Sequence, residues 1–158
     1  MADGAVEIRS AVSDHDYRIV SELFTEYLGS LDFTIDFQDI DRDVQQPRSV
    51  YDRPNGRAFL AFVDGAAAGV VGVSRFDDAA CELKRMYVRP DQRTRGLGRR
   101  RAVAAIGAAG DLGYRQMLLD TLEDMRAANA LYESLGFRDI PAYRHNPLPG
   151  DRYLALDL

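Results

Sequence analysis

The residues with the clearest chemical use are Arg93-Thr94-Arg95-Gly96-Leu97-Gly98, set between a strand-like run, Cys81 to Val88, and a helix-like run that begins near Leu97. A glycine-bearing turn at a strand-to-helix junction aims several backbone N–H groups at one point. There the unpaired first-turn donors and the helix dipole favour an anion. The flanking arginines add fixed positive charge suited to phosphate oxygens. Taken alone, the string leaves open a tight turn with solvated arginines. Two phosphate motifs are absent: no Gly-x-x-x-x-Gly-Lys string occurs, and Arg101 stands where a dinucleotide fingerprint requires a small residue. The turn also follows several strands rather than the first. The remaining reading is a turn that grips a pyrophosphate mainly through backbone amides.

Charge supports a local site. Lys84 to Arg101 holds eight basic residues against Asp91 alone, a local +7 in a chain of net charge -5, which leaves -12 elsewhere. So compact a patch argues against nucleic-acid binding, which uses a broader basic face, and fits a polyphosphate site. The acidic remainder suits either a cationic substrate or an ordinary solvated surface. With 158 residues, 46% of them apolar and 28% charged, a single domain spanning 1–158 is expected. No apolar run reaches the roughly 18 residues of a membrane span. No signal-like pattern opens the chain, so a cytoplasmic location is expected. Cys81 is the one cysteine and reads as core filler. His15 and His145 are far apart, and no metal site is expected.

The elements that must hold the turn can be read from periodicity. Val6 to Ala11 alternates like a strand, and Asp14 is positioned to cap a helix whose apolar face carries Tyr17, Val20, Phe24, Tyr27, Leu28 and Leu31. Asp32 to Gln46 reads as a loop plus a short helix, and Pro47 to Gly56 as a turn-rich connector. Ala58 to Val63 and Ala67 to Phe76 are strands joined at Asp64-Gly65, with Gly69 and Gly72 marking a bulge or a close approach. Another strand, Glu82 to Val88, leads into the turn. Beyond it come a helix from Leu97 to Leu112 stopped by Gly113, a strand Gln116 to Leu122, a helix Arg126 to Leu135 ended by Gly136, a strand opening at Phe137, and a final strand Arg152 to Leu158. This order places the chain in the α/β (α+β) class: a mixed, mostly antiparallel sheet of about seven strands flanked by about four helices.

At this point the chain resembles a known family. Cys81-Glu82-Leu83-Lys84-Arg85-Met86-Tyr87-Val88-Arg89-Pro90, followed by Arg93-x-x-Gly96-x-Gly98, is similar to the fourth strand and acetyl-CoA loop of GNAT-superfamily N-acetyltransferases, whose loop pattern is Gln/Arg-x-x-Gly-x-Gly/Ala. Asn129-Ala130-Leu131-Tyr132-Glu133-Ser134-Leu135-Gly136-Phe137 resembles the family's Asn-x-x-Tyr helix ending in Gly-Phe. The strand order is similar over nearly the whole chain.

The resemblance implies an acyl-CoA N-acyltransferase fold, and direct transfer from acetyl-CoA to a primary amine of a small molecule or peptide in a ternary complex. It places Arg93, Thr94, Arg95, Gly96, Leu97, Gly98 and Arg99 on the pyrophosphate. Met86 and Val88 would pair with pantetheine as an added strand would, and a backbone N–H near Tyr87 or Val88 would hold the oxyanion. Tyr132 becomes the general acid, since a phenol of pKa about 10 stays protonated at neutral pH and suits an alkyl thiolate. Asn129, three residues earlier, projects from the same helix face toward the cofactor. Without the glycine turn, Tyr132 would read as a core aromatic beside Ala128 and Leu135.

Glu82 is the candidate base, with a salt-bridged surface glutamate as the competing reading. A water relay or a backbone carbonyl, Asp120 and His145 are the other options. Phe33, Phe37, Tyr143, Arg144 and His145 are positioned to line the acceptor pocket. Exposed sheet edges are compatible with a homodimer. Two rivals stay open: a non-catalytic acyl-CoA-binding or regulatory module on the same fold, and a nucleotide-binding α/β protein.

Overall fold

The computed structural model describes residues 5–31, 40–92, 96–144 and 149–158. Among them, seven strands form one sheet: β1 (Val6–Ser10), β2 (Arg57–Val63), β3 (Ala66–Arg75), β4 (Ala80–Val88), β5 (Gln116–Leu122), β6 (Arg138–Asp139) and β7 (Asp151–Asp157). Their order is β1-β2-β3-β4-β5-β7-β6. Neighbours run antiparallel except β4 and β5, which are parallel. That parallel pair requires a crossover, supplied by α4 (Leu97–Asp111).

The remaining described helices are α1 (Asp14–Gly29), α2 (Ile40–Gln45), α3 (Pro47–Val50) and α5 (Arg126–Ser134). The expected connector after Gln46 therefore contains a helical turn. Pro47 opens it, where proline's preset φ and missing N–H cost a helix nothing. The cap of α1 is Ser13 and not Asp14: Ser13 Oγ accepts from the Asp16 N–H at 3.0 Å, and the Asp16 carboxylate accepts from the Ser13 N–H at 3.2 Å. This reciprocal pair makes Asp14 the first helical residue.

Each face of the sheet has its own core. On one side Ala105 and Ala109 of α4 and Tyr132 of α5 pack with Val73, Leu83, Met117 and Leu119. On the other, Tyr17, Val20 and Phe24 of α1 pack with Tyr51, Leu60, Val70 and Tyr87. The alanines let α4 lie close to the sheet, while Val103 points to solvent. Gly72 is required by packing: a Cβ there would stand 2.5 Å from the Tyr51 ring.

Two departures from regularity shape β4. Lys84 pairs with Gly72 and Tyr87 with Val70, so Arg85 and Met86 together oppose Val71 alone. Arg85 adopts φ 58°, the left-handed value that a bulge of this kind demands. The extra residue resets the alternation of side chains, so Glu82, Lys84, Arg85 and Tyr87 all face the α1 side. Second, pairing with β5 runs only from Ala80–Gln116 to Glu82–Leu118. Beyond Glu82 the two parallel strands part.

Candidate active site

The parting of β4 and β5 opens a cleft of about 370 Å³, walled by Met86, Tyr87 and Val88 on one side, Leu131 and Tyr132 on another, and Tyr27 of α1. Tyr132 is brought here because α5 begins directly after β5 and turns its inner face to the gap. Its Oη donates to Met86 Sδ at 3.8 Å, and its ring packs edge-on against Phe137. Burial, and after it the neighbouring Tyr27, push the Tyr132 hydroxyl above the ordinary tyrosine range. It therefore stays protonated at neutral pH. Tyr132 is both a packed aromatic and a cleft residue.

Asn129 is 5% exposed. Its Nδ2 donates to the Leu122 carbonyl and its Oδ1 accepts from Thr121 Oγ1, both at 2.9 Å. The side chain thus ties α5 to the end of β5, an arrangement that sequence spacing could not reveal. Leu97 is 2% exposed, with its side chain packed beside Ala61, Val63 and Ala68. Its backbone lies in the first turn of α4. Gly96 caps that helix at φ 70°, a left-handed conformation, and among the described residues no side chain caps the first turn. Gly98 lines the cleft, with space for a Cβ no closer than 3.4 Å to Leu131. Arg99 reaches Ser134 Oγ at 3.1 Å, joining α4 to α5. Phe33, Phe37, Arg93, Thr94, Arg95 and His145 lie outside the described residues.

Glu82, where the strands part, is 4% exposed. Tyr143 Oη donates to its Oε2 at 3.1 Å, and Arg144 forms an ion pair with Oε1. Glu82 is thus salt-bridged, but in a buried cluster rather than on the surface. Asp120, on β5 nearby, has its carboxyl raised above the usual range by burial, against the pull of Arg144.

Sequence reasoning missed three groups. Arg101 is 1% exposed, and its guanidinium donates to the Val70 and Tyr87 carbonyls and to the Leu97 carbonyl at 3.1 Å. It clamps the bulge from the α4 side, and burial lowers its pKa to about 10. Gly69 has no Cβ because one would sit 3.1 Å from this guanidinium and 2.9 Å from the Tyr87 carbonyl. From the other side Arg85 pairs with Asp43 at 2.8 Å, and Asp43 also accepts from Tyr51 Oη at 2.5 Å. Lys84 joins the same polar face. The adjacent basic pair Lys84-Arg85 inside a strand was the available signal: strict alternation would have buried one of them among apolar side chains.

Comparison with known proteins is consistent with this geometry. Residues 19–137 match the Acetyltransferase (GNAT) family. An uncharacterised N-acetyltransferase of Schizosaccharomyces pombe is 37% identical over 86% of this chain and 85% of its own length. The human N-acetylaspartate synthetase is 37% identical over 68% of this chain, which spans only 36% of that larger protein. Among solved structures, a Staphylococcus aureus acetyltransferase of the GNAT family superposes with TM-score 0.79 at 21% identity, over 97% of this chain and 99% of its own. A Salmonella typhimurium protein described as an acetyltransferase and solved with its cofactor acetyl-CoA gives 0.72 at 20% identity, over 97% and 94%.

Proposed function

Because the chain belongs to the GNAT family of acetyltransferases, we propose that it transfers the acetyl group of acetyl-CoA to a primary amine by direct attack in a ternary complex. The observation that carries this reading is the cleft itself. One strand departs from its parallel neighbour after Glu82, a buried tyrosine faces the gap beside Met86, and a glycine-capped helix N-terminus follows.

The roles follow from chemistry. The pyrophosphate sits on the 93–99 turn and the first turn of α4, held by main-chain N–H groups, with Arg93, Thr94 and Arg95 in the part of that turn outside the described residues. Pantetheine enters the cleft along Met86 and Val88 like an added strand. The amine nitrogen attacks the thioester carbon, and the oxygen gains charge against a main-chain N–H of Tyr87 or Val88. As the tetrahedral intermediate collapses, the new C–N bond stays and the C–S bond breaks. Tyr132 gives its proton to the departing sulfur. The attacking amine's proton leaves toward Glu82 or Asp120, directly or through water. Asn129, by tying α5 to β5, positions Tyr132. The acceptor is an amine of a small molecule or peptide, and a relative named as an N-acetylaspartate synthetase favours the small molecule.

The test is release of thiol from acetyl-CoA with a panel of amines, beside calorimetric binding of acetyl-CoA. Tyr132→Phe should lower kcat by about 10²-fold or more while acetyl-CoA affinity holds. An unchanged kcat would remove Tyr132 from the chemistry. Acetyl-CoA binding without turnover of any amine would leave the binding-module reading.

A further inference from the structure

A second recess, of about 470 Å³, opens on the α1 side of β4, and Glu82, at the point where β4 and β5 part, stands in its wall. Its charged lining is Arg42, Arg75, Lys84 and Arg144 against Asp43 and Glu82. Both carboxylates are already held, Asp43 by Arg85 and Tyr51, Glu82 by Arg144 and Tyr143. Arg75 is tied to Asp78 at 2.5 Å. The side chains of Lys84 and Arg42, by contrast, have no ion-pair or hydrogen-bond partner among the described residues.

The position of Lys84 makes this surplus informative. The bulge immediately after it crowds Arg85 onto the same face, so two cations share one side of a strand. Burial, and then Arg85, lower the Lys84 pKa below its ordinary value. Glu82 and Asp43 favour the charge on Lys84 from nearby, but each is bonded to another cation, so burial and Arg85 outweigh them. The recess carries four cationic side chains against two carboxylates that are already engaged, an excess of donors that is the complement of a carboxylate.

We propose that the acetyl acceptor is an amine that itself carries a carboxylate, an amino acid rather than a polyamine, and that this carboxylate is held by Lys84 with Arg42 and Arg144 around it. The inference rests on the acetyl-transfer reading above. It reverses what the chain's net charge of -5 suggests, because the acidic surplus does not line this recess.

Initial rates of thiol release at saturating acetyl-CoA, with L-aspartate, L-alanine, L-alaninamide and spermidine as acceptors, test it. The carboxylate-bearing amines should exceed alaninamide and spermidine in kcat/KM by about 10-fold or more. Lys84→Met should lower kcat/KM for the preferred amino acid by about 10- to 100-fold, mainly through its KM. The KM of acetyl-CoA should not change, Tm should not fall, and Lys84→Arg should retain the preference. Alaninamide or spermidine matching the amino acids would overturn this inference and leave acetyl transfer standing, as would a Lys84→Met variant with wild-type kinetics on the amino acid. No turnover of any amine, with acetyl-CoA bound, would remove the acetyl-transfer reading and this one with it.

Discussion

The two ends of β4 are one strand in sequence and two different objects in structure. From Ala80 to Glu82 the strand is paired on both sides, to β3 and to β5, and Cys81 is sealed in the core. From Arg85 to Val88 it pairs with β3 only, is bulged, and walls a cleft. The closed end is held by ladder hydrogen bonds and apolar burial, which any strand of suitable composition supplies. The open end is held by polar clamps, Arg101 on one face and the Arg85–Asp43–Tyr51 cluster on the other. A strand kept apart from its neighbour loses the ladder on that side, so side chains must fix its position. The lesson is that the polar core of this protein sits where the sheet is deliberately incomplete.

That contrast can be broken most severely at Arg85. Arg85→Met leaves the Asp43 carboxylate buried without its cation, and a loss of about 3–5 kcal/mol is expected in denaturant unfolding. Adding Asp43→Leu should recover most of it. If the single variant unfolds like wild type, the clamp is not what holds the open end.

The next effect is kinetic. A proton donor at Tyr132 with a raised pKa stays protonated to higher pH than an ordinary tyrosine. The alkaline limb of kcat should therefore begin above pH about 10 and disappear in Tyr132→Phe. A limb that persists in the variant belongs to another group.

A smaller change away from β4 calibrates the first two. Arg9 first, with the Val12 and Ser13 N–H groups, holds the Asp16 carboxyl well below the usual carboxylate range, against the opposing effect of burial. The folded-state pKa is depressed, so its stabilisation is present above the unfolded value of about 4 and is lost as pH falls below it. Asp16→Asn should cost about 1–2 kcal/mol at pH 7, and the gap from wild type should close in acid. Catalysis should not change. A gap that stays constant with pH would mean that the charge contributes nothing.

The smallest expected effect is at the closed end. Burial pushes the Cys81 thiol up to about 12, so native protein should resist alkylation at pH 8 until unfolded. Rapid labelling would show that the closed end opens as readily as the cleft.

Much of the architecture was legible because local rules were strong. Asp64-Gly65 joined two alternating runs, and the alanine-rich stretch after Gly98 matched a helix lying close to a sheet. The Asn129-x-x-Tyr132 spacing placed both residues on one helix face, and both are buried, Asn129 against the end of β5 and Tyr132 in the cleft wall. The helical turn opened by Pro47 was hidden because four residues carry too little periodicity to register. The Ser13 cap was missed because Ser13 and Asp14 are both good caps, and only the reciprocal bond from Asp16 decides between them.

By itself, then, the sequence determined the order of the strands and longer helices, the place of the glycine turn and the family, because these depend on composition and spacing along the chain. The tertiary structure alone decided that Lys84 and Arg85 face the same side, that Glu82 is occupied by Arg144 and Tyr143, and that the recess beside them is basic in an acidic protein. The physical reason is the single extra residue in β4. It breaks the period-two rule by which a strand's faces are read; the adjacent basic pair Lys84-Arg85 hints at a break, but only the folded backbone shows that Arg85 takes the left-handed conformation.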